Sequence, residues 1–151
     1  MSRESAHNAL FQVIKTGCPS FRTVTRRLQH WTKVPPTDMP YLAMVQRHQL
    51  SKQQNNLPYR WVLNVAVYIY CYEEDQNQYP STQLNNLLDE LELVLTAVPP
   101  GNRLTLGMPD VEACRIEGEI ELDEGILNDG NLAVAIVPIV MLAGPFSGST
   151  S

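Results

Sequence analysis

A chain of 151 residues, 44% apolar and 18% charged, has the composition of one ordinary globular domain. Its net charge of −5 supplies no global basic footprint for duplex nucleic acid. No run reaches the ~18 apolar residues of a membrane span, and the longest, Leu132–Ala143, is interrupted by Pro138. The opening "MSRESAHNAL" contains no apolar signal segment, so no cleaved leader is expected. Cys18, Cys71 and Cys114 are odd in number, far apart and free of any CxxC pattern. They read as unpaired packing thiols of a reducing compartment.

Taken in chain order, Glu4–Thr16 predicts a helix, because Ala6, Leu10, Val13 and Ile14 recur at helical spacing. Ser2 or Ser5 can cap it, and Gly17 and Pro19 stop it. Phe21–Trp31, rich in Thr and Val, predicts a strand, although Arg26 falls on the face of Val24 and Leu28 and breaks the alternation. "VPPTDMP" is a connection. Tyr41–Gln49 predicts a second strand, followed by a long polar loop, "LSKQQNNLP".

Arg60–Tyr72 is the clearest strand, with Trp61, Leu63, Val65, Val67, Ile69 and Cys71 on one face. Tyr68, Tyr70 and Tyr72 lie on the other. After the loop "EEDQNQYP", Ser81–Val98 carries an unbroken leucine stripe and predicts the best helix, capped by Ser81 or Thr82. Glu112–Leu122 predicts a strand with Glu117, Glu119 and Glu121 in one row. Leu132–Leu142 is apolar on both faces, and its Pro138 marks an edge or a bulge. The order α-β-β-β-α-β-β predicts an α+β two-layer sandwich, a mixed or antiparallel sheet of about five strands with two helices on one face. Residues 1–143 form the single domain, and 144–151 a flexible C-terminal tail.

The carboxylate-rich "RIEGEIELDEG" poses the main chemical question. A glycosidase pair needs two carboxyls whose surroundings push their pKa values apart, whereas these three occupy equivalent positions. A calcium loop needs a fixed spacing with Gly sixth and Glu twelfth, which "DEGILNDG" does not supply. His7, His30 and His48 stand at no ligand spacing, and no hydrolase, zinc-protease, P-loop or dinucleotide motif occurs. Catalytic residues, metals and cofactors are therefore not expected. Arg22, Arg26 and Arg27 beside His30 and Trp31 are better suited to salt bridges, to the glutamates or across a subunit interface, than to nucleic acid.

Two helices can cover only one face of the sheet. Val62, Tyr68, Tyr70 and Tyr72, together with the two-faced last strand, would then leave apolar surface in water. Such surface is a physical motive for self-association, unless Val34–Pro40 or the tail covers it.

The blocks "FRTVTRRLQHW", "VPPTDMPYLAMVQ", "LPYRWVLNVAVYIY", "LNNLLDELELVL", "CRIEGEIELDEG" and "AVAIVPIVML", in this order and spacing, resemble the tail terminator (tail completion) proteins of tailed bacteriophages. The resemblance spans about Ala9 to Ala143. It implies an α/β sandwich and a structural role in the virion, at the head-proximal end of the tail, after assembly in the host cytoplasm. It further implies a homo-hexameric ring that caps the tail tube, stops its polymerisation and offers a docking surface to the neck. The implied partners are further copies of the chain, the major tail tube protein and the head-tail connector. DNA passes through without specific binding, and no membrane is involved. A neck or head-completion ring is the alternative.

In such a ring Glu117, Glu119 and Glu121 would line the channel and repel phosphate, or would meet Arg26 or Arg27 of a neighbouring copy. Tyr68, Tyr70 and Pro138 are the other candidate interface residues. Lys52, Gln53 and Asn55, and Glu73, Glu74 and Asp75, belong to the candidate docking loops.

Overall fold

The computed structural model describes residues 2–96, 104–125 and 130–146. Helix α1, Arg3–Gly17, begins with a reciprocal cap: the Ser5 amide donates to the Ser2 hydroxyl at 3.1 Å, and the Ser2 amide donates to the Ser5 hydroxyl at 2.9 Å. It is followed by β1 (Thr23–Thr25), β2 (Tyr41–Lys52), β3 (Arg60–Tyr72), α2 (Pro80–Val94), β4 (Val111–Ile116), β5 (Glu121–Glu124) and β6 (Leu132–Ala143). The fold is α+β. Its open sheet runs β1-β2-β3-β6-β4, with β5 also paired to β6, and every pairing except β1 with β2 is antiparallel.

Both helices lie on one face. Ala6, Leu10 and Ile14 of α1 and Leu84, Leu87 and Leu91 of α2 meet the inward row of β3, Leu63 to Cys71. The alternate residues of β6, Ala133 to Ala143, complete this core. The β3–β6 ladder is unbroken from Trp61↔Ala143 to Tyr72↔Leu132 and forms the spine of the molecule. Cys18, Cys71 and Cys114 are buried and unpaired. Burial raises the Cys18 thiol to about 11 and the other two to about 12, which keeps them protonated and inert.

The structure corrects several expectations. Only Thr23–Thr25 of the anticipated Phe21–Trp31 strand is extended. The Arg27 amide donates to the Thr25 hydroxyl at 3.0 Å, a local bond that turns the chain out of the ladder. Leu50–Lys52 belong to β2 rather than to the loop, because they pair with Arg60–Val62. Neither Ser81 nor Thr82 caps α2. Its N-cap is Tyr79, without a side-chain bond, and Pro80 starts the helix where a missing amide hydrogen costs nothing. The helix ends at Val94 with Leu95 as its C-cap, and 97–98 of its expected span lie outside the described residues.

The Glu112–Leu122 strand is also broken, into β4 and β5. Pro138 explains the break. Its carbonyl accepts the Glu117 amide at 3.2 Å, so its own nitrogen faces the same neighbour and has no hydrogen to return. From Ile116↔Ile139 to Glu121↔Ile136 the partner chain uses five steps against three in β6. The start of the expected loose tail is anchored: the Gly144 amide donates to the Asp110 carbonyl at 3.0 Å, and Phe146 packs on the core beside Arg3.

His7, on α1, is 1% exposed, and neither ring nitrogen has a hydrogen-bond partner. Burial lowers its pKa. Arg26 and Arg3 act in the same direction, and Glu4 opposes them. The unfolded chain therefore takes up a proton near pH ~6.5 that the fold rejects. Stability is expected to be full above that pH and to fall as pH drops below it, with a limiting slope of ~1.4 kcal/mol per pH unit. Urea titrations between about pH 5 and 7, above most carboxylate pKa values, check this. The slope in that window should disappear in His7→Leu.

Candidate functional site

The sheet face turned away from the helices is the candidate site. Along β6, Val134, Ile136, Pro138, Val140 and Leu142 alternate with fully buried residues, and all five are only half-buried. Neither α1 nor α2 covers this row. At one end the chain's own Trp31–Met39 segment does so: Val34 and Met39 pack against Tyr41, Ala43, Tyr70 and Leu132. Tyr41 and Tyr70 stack at 5.2 Å, and their hydroxyls donate to the Arg27 and Gln29 carbonyls at 2.8 Å each. Tyr70, one of the expected interface residues, is 4% exposed and is held inside its own chain. Tyr68 remains half-buried, and its hydroxyl accepts from Arg47 at 2.8 Å.

Beyond the covered end, two faults in the sheet frame a hollow of about 360 Å³. On one side β2 bulges between Gln46↔Val65 and Gln49↔Leu63, so that Arg47 and His48 share the place opposite Asn64. On the other side is the break opposite Pro138, which carries Glu119 and leads into Glu121. The floor is Ala66, Ile136 and Pro138. The hollow therefore has a basic wall and an acidic wall.

The three glutamates are all exposed but do not form the uniform row anticipated. Glu117 is engaged by Arg115 at 2.9 Å. Glu119 and Glu121 form no ion pair among the described residues. Arg26 is likewise engaged within the chain, by Glu4 at 2.6 Å, and this bond holds the Glu4 carboxyl below its usual range. Of the two arginines expected to meet a neighbouring copy, Arg26 is thus bridged within its own chain and Arg27 is exposed. Among the described residues no group of three His, Cys, Asp or Glu side chains could hold a metal ion.

The two candidate docking loops occupy opposite ends of β3. Thirteen residues at ~3.3 Å each separate them by roughly 40 Å. Lys52 closes β2, and Gln53 and Asn55 lie in the hairpin beyond it. The other loop is a bonded turn rather than a free one: the Glu73 amide donates to the Asn131 carbonyl at 2.9 Å, and the Asp75 amide donates to the Glu73 carboxylate at 3.0 Å. Glu74 is exposed.

Sequence reasoning missed two features. The hairpin end carries exposed apolar side chains, Leu50, Leu57 and Tyr59, each more than half exposed. They are scattered through a polar stretch, and only the hairpin gathers them. Arg47 and His48 were also missed, because a bulge has no period. Their one visible signal was the polar run Gln46–Gln49 at the end of the expected strand.

Gly118 is the hinge of the acidic wall. Its φ is +120°, and an added Cβ would stand 3.1 Å from Pro138 Cγ. Gly118→Ala is expected to cost more than ~1 kcal/mol in urea unfolding. A cost near zero would show that the break at Pro138 does not depend on this backbone conformation. Compared with models of protein families and with curated proteins, the chain matches none.

Proposed function

We propose that this chain is a structural subunit of a phage tail, a terminator that assembles into a ring on the finished tail tube. There it stops polymerisation and presents a surface to the neck. The observation that carries the reading is the half-buried aliphatic row Val134–Leu142 on a sheet face that neither α1 nor α2 covers. Burying such a row contributes about 25 cal/mol per Å² removed from water, which favours assembly over a solitary subunit. The sequence blocks resembling tail terminators run through the same elements, β2, β3, α2, β4–β5 and β6. The placement of the loops also supports it. A ring held between tube and neck needs contact surfaces at two ends, and roughly 40 Å of sheet separates the Leu50–Leu57–Tyr59 patch from the Glu73–Asp75 turn. No catalytic step is part of the proposal.

Electron microscopy of lysates from a phage lacking this gene tests it. Headless tails of uncontrolled length are the expected result. Tails of normal length beside unattached heads would replace the terminator with the neck or head-completion reading, in which a similar ring joins head to tail.

A further inference from the structure

The two edges of the sheet carry opposite charge. At one edge stand β1, β2 and the chain leading into them, Ser20–Lys52, with Arg22, Arg26, Arg27, Lys33, Arg47 and Lys52 against a single acid, Asp38. At the other edge stand β4 and β5. Asp110–Glu124 holds Asp110, Glu112, Glu117, Glu119, Glu121, Asp123 and Glu124 against a single base, Arg115. The internal bridges Arg26–Glu4, Glu112–Arg60 and Glu117–Arg115 leave most of both sets without a charged partner among the described residues.

The backbone is available as well. β1 pairs only with Tyr41–Ala43, so the outer edge of β2 from Met44 to Lys52 has no strand beside it among the described residues. The outer edges of β4 and β5 have none either. Unpaired edge amides and carbonyls are a template for another strand, and the two edges of this sheet are templates of opposite sign.

We infer that the acidic β4–β5 edge of one copy docks on the basic β1–β2 edge of the next. The partner is a second copy of this chain, and the contact joins two different surfaces. Such head-to-tail contacts propagate, and they close into rings when the rotation per copy allows. Like edges repel, which disfavours a two-fold dimer through either edge. The inference rests on the ring reading for its setting and adds to it the surfaces, the polarity and the force. It also assigns Glu119 and Glu121 to the subunit contact rather than to a channel wall.

Charge exchange tests it. One variant carries Glu119→Lys and Glu121→Lys, and a second carries Arg27→Glu and Arg47→Glu. All four sites are exposed or on the rim of the hollow, and far-UV circular dichroism verifies that each variant folds. Sedimentation velocity and native mass spectrometry then read assembly at low and high salt. The wild-type protein is expected to self-associate and to weaken as salt shortens the Debye length. Each variant alone should lose at least tenfold in association. Their equimolar mixture should regain it, because in alternation the two exchanged edges meet each other with their signs swapped and the two unchanged edges meet each other. The mixed assemblies should contain the two chains in alternation and in equal number. Glu119→Gln with Glu121→Gln, neutral and nearly isosteric, should fall between wild type and reversal.

A wild-type protein that stays single up to about 1 mM overturns the inference, as does a reversed variant that assembles normally or a mixture that fails to recover. Overlong tails in the gene-deleted phage together with edge-independent assembly would discard this contact and keep the terminator. Edge-dependent assembly with tails of normal length would do the reverse.

Discussion

The pairing of β6 between β3 and the β4–β5 strand is the constraint on which the other features depend. β6 is apolar on both faces, and a central strand of that kind needs cover on both. The helices supply one cover completely: the alternate side chains from Ala133 to Ala143 are fully buried beneath α1 and α2. The other cover is partial. The Trp31–Met39 segment protects the end near Tyr70 and Leu132, and the remainder of the row is left half in water. With α1 and α2 both on one face, and Trp31–Met39 covering only one end of the other, the described residues meet the second requirement in part.

Pro138 gives this arrangement its shape. Within β6 it keeps an uninterrupted pairing toward β3, where it lies opposite Ala66. Toward β4–β5 it cannot donate, and the neighbouring strand buckles at Gly118. The bulge in β2 falls at a similar level of the sheet, and the two faults leave the hollow between them. A proline in a central strand and a bulge in an outer one are both unfavourable for a plain ladder. Together they set Arg47 and two carboxylates on opposite sides of an apolar floor.

The elements most legible in the sequence were those with a strong local period. The bounds of β3 and β6, the start and face of α1, and the leucine stripe of α2 follow from alternation or from three-four spacing. β-sheet cores and amphipathic helices write such patterns directly into the chain. The expected strand at Phe21–Trp31 failed because its Thr and Val content speaks for extension, while the hydroxyl of Thr25 bends the backbone after three residues. The expected row of glutamates failed because alternation assumes a partner strand that can bond at every position, and Pro138 lies some twenty residues away in sequence. Neither Tyr70's enclosure nor Arg26's bridge to Glu4 leaves a trace in local pattern, since each depends on a segment brought in from elsewhere.

What the sequence by itself determined is the inventory: an α+β chain with one two-faced strand, two covering helices, three inert thiols, and basic and acidic stretches far apart in the chain. Tertiary structure decided where these stand. It placed the basic stretch on one edge of the sheet and the acidic stretch on the other, closed one end of the open face with the Trp31–Met39 segment, and gathered Leu50, Leu57 and Tyr59 at the hairpin. The physical reason is that period and composition act over a few residues. Strand order is fixed instead by the ladder hydrogen bonds and packing of segments distant in sequence.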